Sequence, residues 1–143
     1  MQVKIVCDGA CSGNPGPAGY SFGIISHDGN QAKIHSARIG QSTNNRAELL
    51  AIYAALRYCE QFDKPAIKIL TDSQNAIGWI TGKYKAKVPE IVDMVGATRV
   101  LLASGKFQGV DFEWLVKGQS SDEVVQQVHD AVDKAAKRKA RGG

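Results

Sequence analysis

Three strand-like segments precede the first helix-like segment in this chain, and that order restricts the folds open to it. Val3, Ile5 and Cys7 recur at every second position, as in a strand with a buried face. Residues 27–30 (HDGN) form a hairpin turn signal between the second and third strands. Strand-like and helix-like segments then alternate to the end. A three-stranded meander followed by this alternation predicts a mixed sheet with helices packed on it.

Turn and capping residues set the bounds of the predicted elements. Pro89 suits the first turn of a helix, and Ser120 with Glu123 matches a capping box. Predicted strands cover residues 2–8, 18–26, 33–40, 66–71 and 111–116, and predicted helices cover residues 43–61, 72–80, 89–104 and 120–138. We expect a single domain over residues 1–138 and a disordered basic tail over residues 139–143.

Charge and composition limit the partners of the chain. A formal net charge of +4 permits a polyanionic partner without requiring one. No run of about 18 apolar residues occurs and no signal-peptide pattern opens the chain, so we expect a cytoplasmic protein without membrane contact. Cys7, Cys11 and Cys59 have no CxxC spacing, which favours reduced thiols over a zinc site. We expect a monomer.

Three acids lie at the ends of predicted elements. Asp8 ends the first strand, Asp72 follows the fourth, and Glu48 lies in the first turn of the first helix. If the two strands are neighbours, all three carboxylates can meet. Like charges that close must share a proton or bind cations, and hard oxygen ligands suit Mg²⁺ or Mn²⁺. Each acid also has an ordinary alternative role, Asp72 as an N-cap and Glu48 as the capping-box partner of Asn45.

Four motifs in the chain resemble, in order, those of type 1 ribonuclease H. They are residues 8–16 (DGACSGNPG), 43–49 (TNNRAEL), 71–74 (TDSQ) and 114–118 (WLVKG). The resemblance extends from residue 3 to about residue 136. It implies an α/β fold of the ribonuclease H-like type, with a five-stranded mixed sheet in the order 3-2-1-4-5, strand 2 antiparallel and helices on both faces.

The resemblance implies an endonuclease that cuts the RNA strand of RNA–DNA hybrids and leaves 5′-phosphate and 3′-hydroxyl ends. Asp8, Glu48 and Asp72 match the metal-binding carboxylates of the family. Two Mg²⁺ ions about 4 Å apart, with Mn²⁺ as a possible substitute, would activate a water and stabilise the leaving oxygen.

The resemblance also implies a set of substrate-binding residues. The loop of Gly9, Ala10, Cys11 and Ser12 matches the one that reads 2′-hydroxyl groups in the minor groove. Positions that match contacts to bases, sugars and phosphates of the hybrid are Asn14, Thr43, Asn44, Asn45 and Gln74.

The C-terminal part of the chain departs from the family pattern. Asp130 matches the fourth carboxylate best by the alanines that follow it, with Asp122 and Asp133 as alternatives. However, Asp130 lies opposite the apolar stripe of the last helix, as a solvated surface acid would. His129 is either a metal or phosphate contact or an ordinary surface histidine.

Two further departures from the family pattern concern turnover and substrate binding. Gln119 stands where the family has a mobile histidine, and it cannot carry a proton at neutral pH. The basic protrusion of some family members is lacking, and only the short basic segment 83–87 (KYKAK) stands in its place. Two alternative functions therefore remain: a catalytically weak module that binds hybrids or double strands, and a resolvase-like, structure-specific DNA nuclease.

Overall fold

The chain folds into one mixed β-sheet with helices packed on it. A computed structural model describes residues 1–25, 32–116 and 122–142, and within them the chain forms five strands and four α-helices. The strands are β1 (Gln2–Cys11), β2 (Gly16–Ile25), β3 (Ala32–Ser42), β4 (Ala66–Thr71) and β5 (Gly109–Trp114). The helices are α1 (Asn44–Tyr58), α2 (Gln74–Thr81), α3 (Pro89–Leu102) and α4 (Glu123–Ala140), with a 3₁₀ turn at Cys59–Gln61.

The sheet has the strand order β3-β2-β1-β4-β5. β2 is antiparallel to both β1 and β3, whereas β4 is parallel to β1 and β5. The predicted order and the antiparallel second strand are therefore confirmed. Because β1 and β4 run in the same direction, their carboxyl ends meet at one edge of the sheet.

Helices cover both faces of the sheet, which explains why β1 is apolar on both sides. Ile5 and Cys7 belong to the cluster that packs under α1, α2 and α3, while Val6 faces the cluster that includes Val128 and Val132 of α4. All five of these side chains are buried. Among the described helices, none combines the length and apolar character that a membrane crossing needs.

The first helix begins as predicted, whereas the last begins later than residue 120. Thr43 caps α1, and its Oγ1 accepts a hydrogen bond from the Arg46 N–H at 3.2 Å. Asp122 caps α4 and accepts from two backbone N–H groups of the first turn. The predicted capping residue Ser120 and the predicted turn at residues 27–30 lie outside the described residues.

The end of α4 corrects the prediction of a disordered tail. The helix runs to Ala140, which is 3% exposed and packs near Ala10. A Cβ atom on Gly19 would lie 2.6 Å from the Lys139 Cβ, so the glycine lets β2 and α4 approach closely. Arg38 then donates to the Gly142 carbonyl oxygen at 2.6 Å. The helix thus packs on the sheet as far as Ala140 and the exposed Arg141 and Gly142 follow it, while the extent of the domain stays a prediction.

Candidate active site

Asp8 and Asp72 lie side by side because of the register between β1 and β4. Cys7 pairs with Thr71 in these parallel strands, so the next residue of each falls at the same edge. Asp8 is 3% exposed, whereas the Asp72 side chain is 38% exposed. The structure thus brings together the two strand-end acids that the sequence singles out.

Glu48 reaches the same edge from the first turns of α1. The Gly9 N–H donates to Glu48 Oε1 at 2.6 Å, and Thr71 Oγ1 lies 3.5 Å from Oε2. A Cβ on Gly9 would lie 2.4 Å from the Ala47 carbonyl carbon, so only glycine permits this approach of β1 to α1. The Glu48 carboxylate thus faces the strand ends, and Thr43 rather than Asn45 caps the helix.

Helix α4 adds His129 and Asp133 from the opposite face of the sheet. The His129 Nε2 lies 3.5 Å from Asp72 Oδ2, and the imidazole side chain is 4% exposed. Asp133 interacts with the Asp8 carboxyl group and forms a 2.9 Å ion pair with Lys137. The fourth acid near the site is therefore Asp133.

The structure does not bring the predicted Asp130 to the other acids. Asp130 is exposed, and its Oδ1 accepts a hydrogen bond from Gln126 Nε2 at 3.2 Å. A helix advances about 100° per residue, so a carboxylate beside buried His129 points away from the sheet. Asp122, the other alternative, caps α4.

The sequence carried one signal for the residues that were missed. His129 and Asp133 are spaced i, i+4, which places them on one face of a helix beside the buried Val132 and Ala136. The interpretation of His129 as a surface histidine was wrong, since the residue is 3% exposed. For the fourth carboxylate, the sequence ranks Asp133 below Asp130, because the alanines that follow Asp130 match the family pattern.

Burial and mutual repulsion set the pKa values of the acids. Burial, together with the charge of the nearby Asp72 carboxylate, raises the pKa of Asp8 from 3.8 to about 7. Burial, followed by the charge of Asp8, also raises the pKa of Glu48 well above its usual value. The contact with His129 lowers the pKa of Asp72 and raises the pKa of His129. The site thus holds more acid groups than it can ionise at low cost.

The donor set fits a divalent cation. Among the described residues, Asp8 Oδ2 and His129 Nε2 are buried polar atoms without a hydrogen-bond partner. One ligand atom each from Asp8, Asp72 and His129 can be chosen so that all three lie within 4.8 Å of one another. Buried polar atoms are costly unless paired, and a cation would pair both.

The substrate-binding residues 9–12 that the resemblance implies lie directly beside Asp8, but Gly9, Ala10 and Cys11 continue β1 and pair with β2 instead of forming a loop. Gly9 is half-buried and Ala10 is buried against α4, so Ala10 offers only its backbone to a ligand. The Cys11 thiol donates toward the carbonyl oxygens of Gly16 and Ser42. The last of these residues, Ser12, is exposed.

The other predicted substrate contacts form an exposed rim around the start of α1 and α2. Asn14 Oδ1 accepts a hydrogen bond from the Asn44 N–H at 3.2 Å, which joins the loop after β1 to the N-terminus of α1. The rim consists of Asn14, Thr43, Asn44, Asn45 and Gln74, all exposed except the half-buried Thr43.

The segment between α2 and α3 is short. Tyr84 lies against Gly78, where an added Cβ would come within 2.0 Å of the Tyr84 ring. Trp79 is partly buried and packs against the core. No protrusion therefore extends from the described residues 82–88. Gln119, the proposed substitute for the mobile histidine, lies outside the described residues.

Comparison with known proteins gives the family. The sequence model described as RNase H matches residues 1–141. The chain belongs to the RNase H family. It is 33% identical over 144 residues to a Ribonuclease H of Aliivibrio salmonicida, covering 94% of this chain and 88% of that protein. It is also 29% identical over 141 residues to a bifunctional protein of Mycobacterium tuberculosis, where 98% of this chain spans 38% of the relative's length.

Solved structures of the RNase H family share this architecture. RNase H1 of Halobacterium salinarum superposes with a TM-score of 0.82 at 27% identity, covering 100% of both chains. LC11-RNase H1 in complex with an RNA/DNA hybrid superposes with a TM-score of 0.74 at 26% identity, covering 94% of this chain and 99% of that chain. The fold expected from the motifs is confirmed.

Proposed function

We propose that this protein is a metal-dependent endonuclease that hydrolyses the RNA strand of RNA–DNA hybrids and leaves 5′-phosphate and 3′-hydroxyl ends. The observation that carries the proposal is the buried Asp8 carboxyl group, which lies against the acid that follows β4 and against acids from α1 and α4. Such a cluster suits cations rather than a neutral ligand. The structural neighbour LC11-RNase H1, which is described in complex with an RNA/DNA hybrid, supports this substrate class.

The acids would hold two divalent cations, Mg²⁺ or Mn²⁺. When bound, the cations would activate a water molecule and neutralise charge on the leaving oxygen. Asp8 and Asp72 offer carboxylate oxygens from adjacent strand ends, and Asp133 approaches Asp8 from α4. The exposed side of Asp72 leaves the cluster open to a phosphodiester, since a fully enclosed site could not admit a polymer.

Glu48 has a fixed orientation that suits a metal ligand. Its carboxylate accepts from the Gly9 N–H and lies near Thr71 Oγ1, so its rotamer is set before any cation arrives. Because Gly9 is also one of the proposed substrate-binding residues, its backbone N–H group would link the metal site to those residues.

The hybrid would bind across the end of β1, the loop that follows it and the start of α1. Gly9, Ala10, Cys11 and Ser12 would place backbone and small side chains against 2′-hydroxyl groups, which tell RNA from DNA. Amides and a hydroxyl line the rim for contacts that carry no sequence preference, and these residues are Asn14, Thr43, Asn44, Asn45 and Gln74.

A substrate panel tests the proposed function. The protein is incubated with Mg²⁺ or Mn²⁺ and end-labelled RNA–DNA hybrid, duplex DNA or duplex RNA, with Asp8→Asn as the matched control. We expect the RNA strand of the hybrid alone to be cut, and the control to be inactive. Binding without cutting in either metal would support a weak binding module instead, and cutting of branched or duplex DNA would support a resolvase-like nuclease.

A further inference from the structure

His129 is a buried imidazole beside the acid cluster. The residue is 3% exposed, and its Nε2 has no hydrogen-bond partner among the described residues. The His129 Nε2 lies 3.5 Å from Asp72 Oδ2, a distance within ion-pair range but without hydrogen-bond geometry. Three side-chain atoms of the described residues are buried without a hydrogen-bond partner, and two of them, His129 Nε2 and Asp8 Oδ2, belong to the acid cluster, whereas His35 Nε2 does not. Because a buried polar atom without a partner is destabilising, two of them in one acid cluster point to a cation that would pair both.

We infer that His129 Nε2 is a nitrogen ligand of one bound cation, together with Asp8 and Asp72, and that this position prefers Mn²⁺ to Mg²⁺. The inference rests on the proposed function only for the role of the cation in catalysis, and the ligand residues are inferred from the structure. Imidazole suits first-row transition ions, whereas Mg²⁺ requires hard oxygen ligands in near-ideal octahedral geometry. One nitrogen among carboxylate oxygens therefore shifts selectivity away from Mg²⁺.

The geometry of the three side chains agrees with a shared ion. Their ligand atoms lie within 4.8 Å of one another, and bonds of about 2.0–2.2 Å bring ligands on opposite sides of an ion to roughly 4.4 Å. A small side-chain movement is enough to close the site. The second orphaned atom, Asp8 Oδ2, belongs to the same group and gains a partner in the same event.

The backbone of α4 holds the imidazole at this position. His129 follows the buried Val128 and precedes the buried Val132 by three residues, so the helix phase is fixed by apolar packing against the sheet. Asp133, one turn further, interacts with Asp8. The helix thus delivers a nitrogen and an oxygen donor to neighbouring points of one acid cluster.

Pulsed electron paramagnetic resonance of the Mn²⁺-loaded protein tests the inference without using activity, because a coordinated imidazole gives a ¹⁴N coupling. We expect this coupling in the wild type, its loss in His129→Asn, and its retention in His35→Asn. The control is matched because His35 Nε2 is also buried without a hydrogen-bond partner among the described residues, while its ring stacks on Phe22 at 5.0 Å and is not among the three clustered ligand residues. By titration, His129→Asn should weaken Mn²⁺ binding about tenfold or more and Mg²⁺ binding much less.

Several outcomes overturn the inference. The wild type could fail to bind Mn²⁺ or show no ¹⁴N coupling. The coupling could survive in His129→Asn, or that variant could bind Mg²⁺ and Mn²⁺ more weakly by the same factor. Any of these results would show that His129 is not a Mn²⁺-selective ligand. The wild-type spectrum decides even if the variant fails to fold. Hybrid cleavage by the wild type is measured in parallel and tests the proposed function separately. Cleavage without a ¹⁴N coupling would overturn only the inference about His129, and a ¹⁴N coupling without cleavage would overturn only the proposed function.

Discussion

The two sides of the acid cluster are built in different ways. Asp8 and Asp72 directly follow Cys7 and Thr71, the last pair between the parallel strands β1 and β4, so the register fixes their distance. His129 and Asp133 come from a helix on the other face, where the phase of the helix decides which side chains point inward. A strand-end acid needs only the correct strand neighbours, whereas a helical acid that is displaced by one residue rotates by about 100°.

This difference explains where sequence reasoning succeeded and failed. On the strand side, the ends of the predicted elements point to Asp8 and Asp72. On the helix side, the sequence predicts Asp130, although the buried stripe of α4 favours residues at the spacing of His129 and Asp133. To predict which acid of a helix faces a site, its position relative to the apolar stripe is therefore a better guide than the residues that follow it in a sequence motif.

The largest expected effect is on the strand side. Asp72→Asn removes an open carboxylate from the cluster and should lower the rate of hybrid cleavage by more than about a hundredfold, because a metal ligand matters more than its outer partners. Gel analysis of end-labelled hybrid measures the rate. Asp111→Asn, on a neighbouring strand, serves as a control with an unchanged rate. Near-normal cleavage by Asp72→Asn would break the assignment of the strand side.

Gly9→Ala tests the contact between the strand side and α1. An alanine Cβ would lie 2.4 Å from Ala47 and 2.5 Å from the Glu48 nitrogen, so backbone must move. We expect a loss of about 3 kcal/mol in the free energy of unfolding, as for severe overpacking, together with lower activity. Gly96→Ala, which meets open space in α3, should be neutral or stabilising. Equal denaturation midpoints for the two variants would contradict the close approach.

The metal-free protein should lose stability as pH rises. The Asp8 pKa is raised from 3.8 to about 7 in the fold, so protonation favours the native state and this contribution disappears as pH passes through 7. Between pH 5 and pH 8 in a chelator, the free energy of unfolding should fall by about 2–3 kcal/mol, and Asp8→Asn should flatten that fall. Urea titrations measure it, with the exposed Asp130→Asn as a control that keeps the wild-type slope. A flat wild-type profile would argue against the buried acid.

The smallest expected effect concerns the cap of α2. Ser73 Oγ accepts a hydrogen bond from the Ala76 N–H at 3.1 Å. Ser73→Ala should cost about 1 kcal/mol in the free energy of unfolding, and Ser73→Thr should restore most of it. Thermal unfolding compares the three proteins. If Ser73→Ala also abolished cleavage with its stability intact, the strand side would depend on the cap as well as on strand register.

Much of the fold followed from local patterns, and the remainder depended on tertiary contacts. The five strands and the positions of Asp8, Glu48 and Asp72 could be predicted because each depends on an element end. The extension of α4 to Ala140 could not, because it depends on close contact with Gly19 in β2. The burial of His129 likewise depends on which face of α4 meets the sheet.

The most direct test of the account compares two neighbouring acids of α4. Hybrid cleavage is measured for Asp133→Asn and Asp130→Asn at equal stability and saturating metal. We predict that Asp133→Asn slows cleavage about 10- to 100-fold, because it removes the acid beside Asp8, and that Asp130→Asn stays within about twofold of the wild type. Slow cleavage by Asp130→Asn with an unaffected Asp133→Asn would contradict the account.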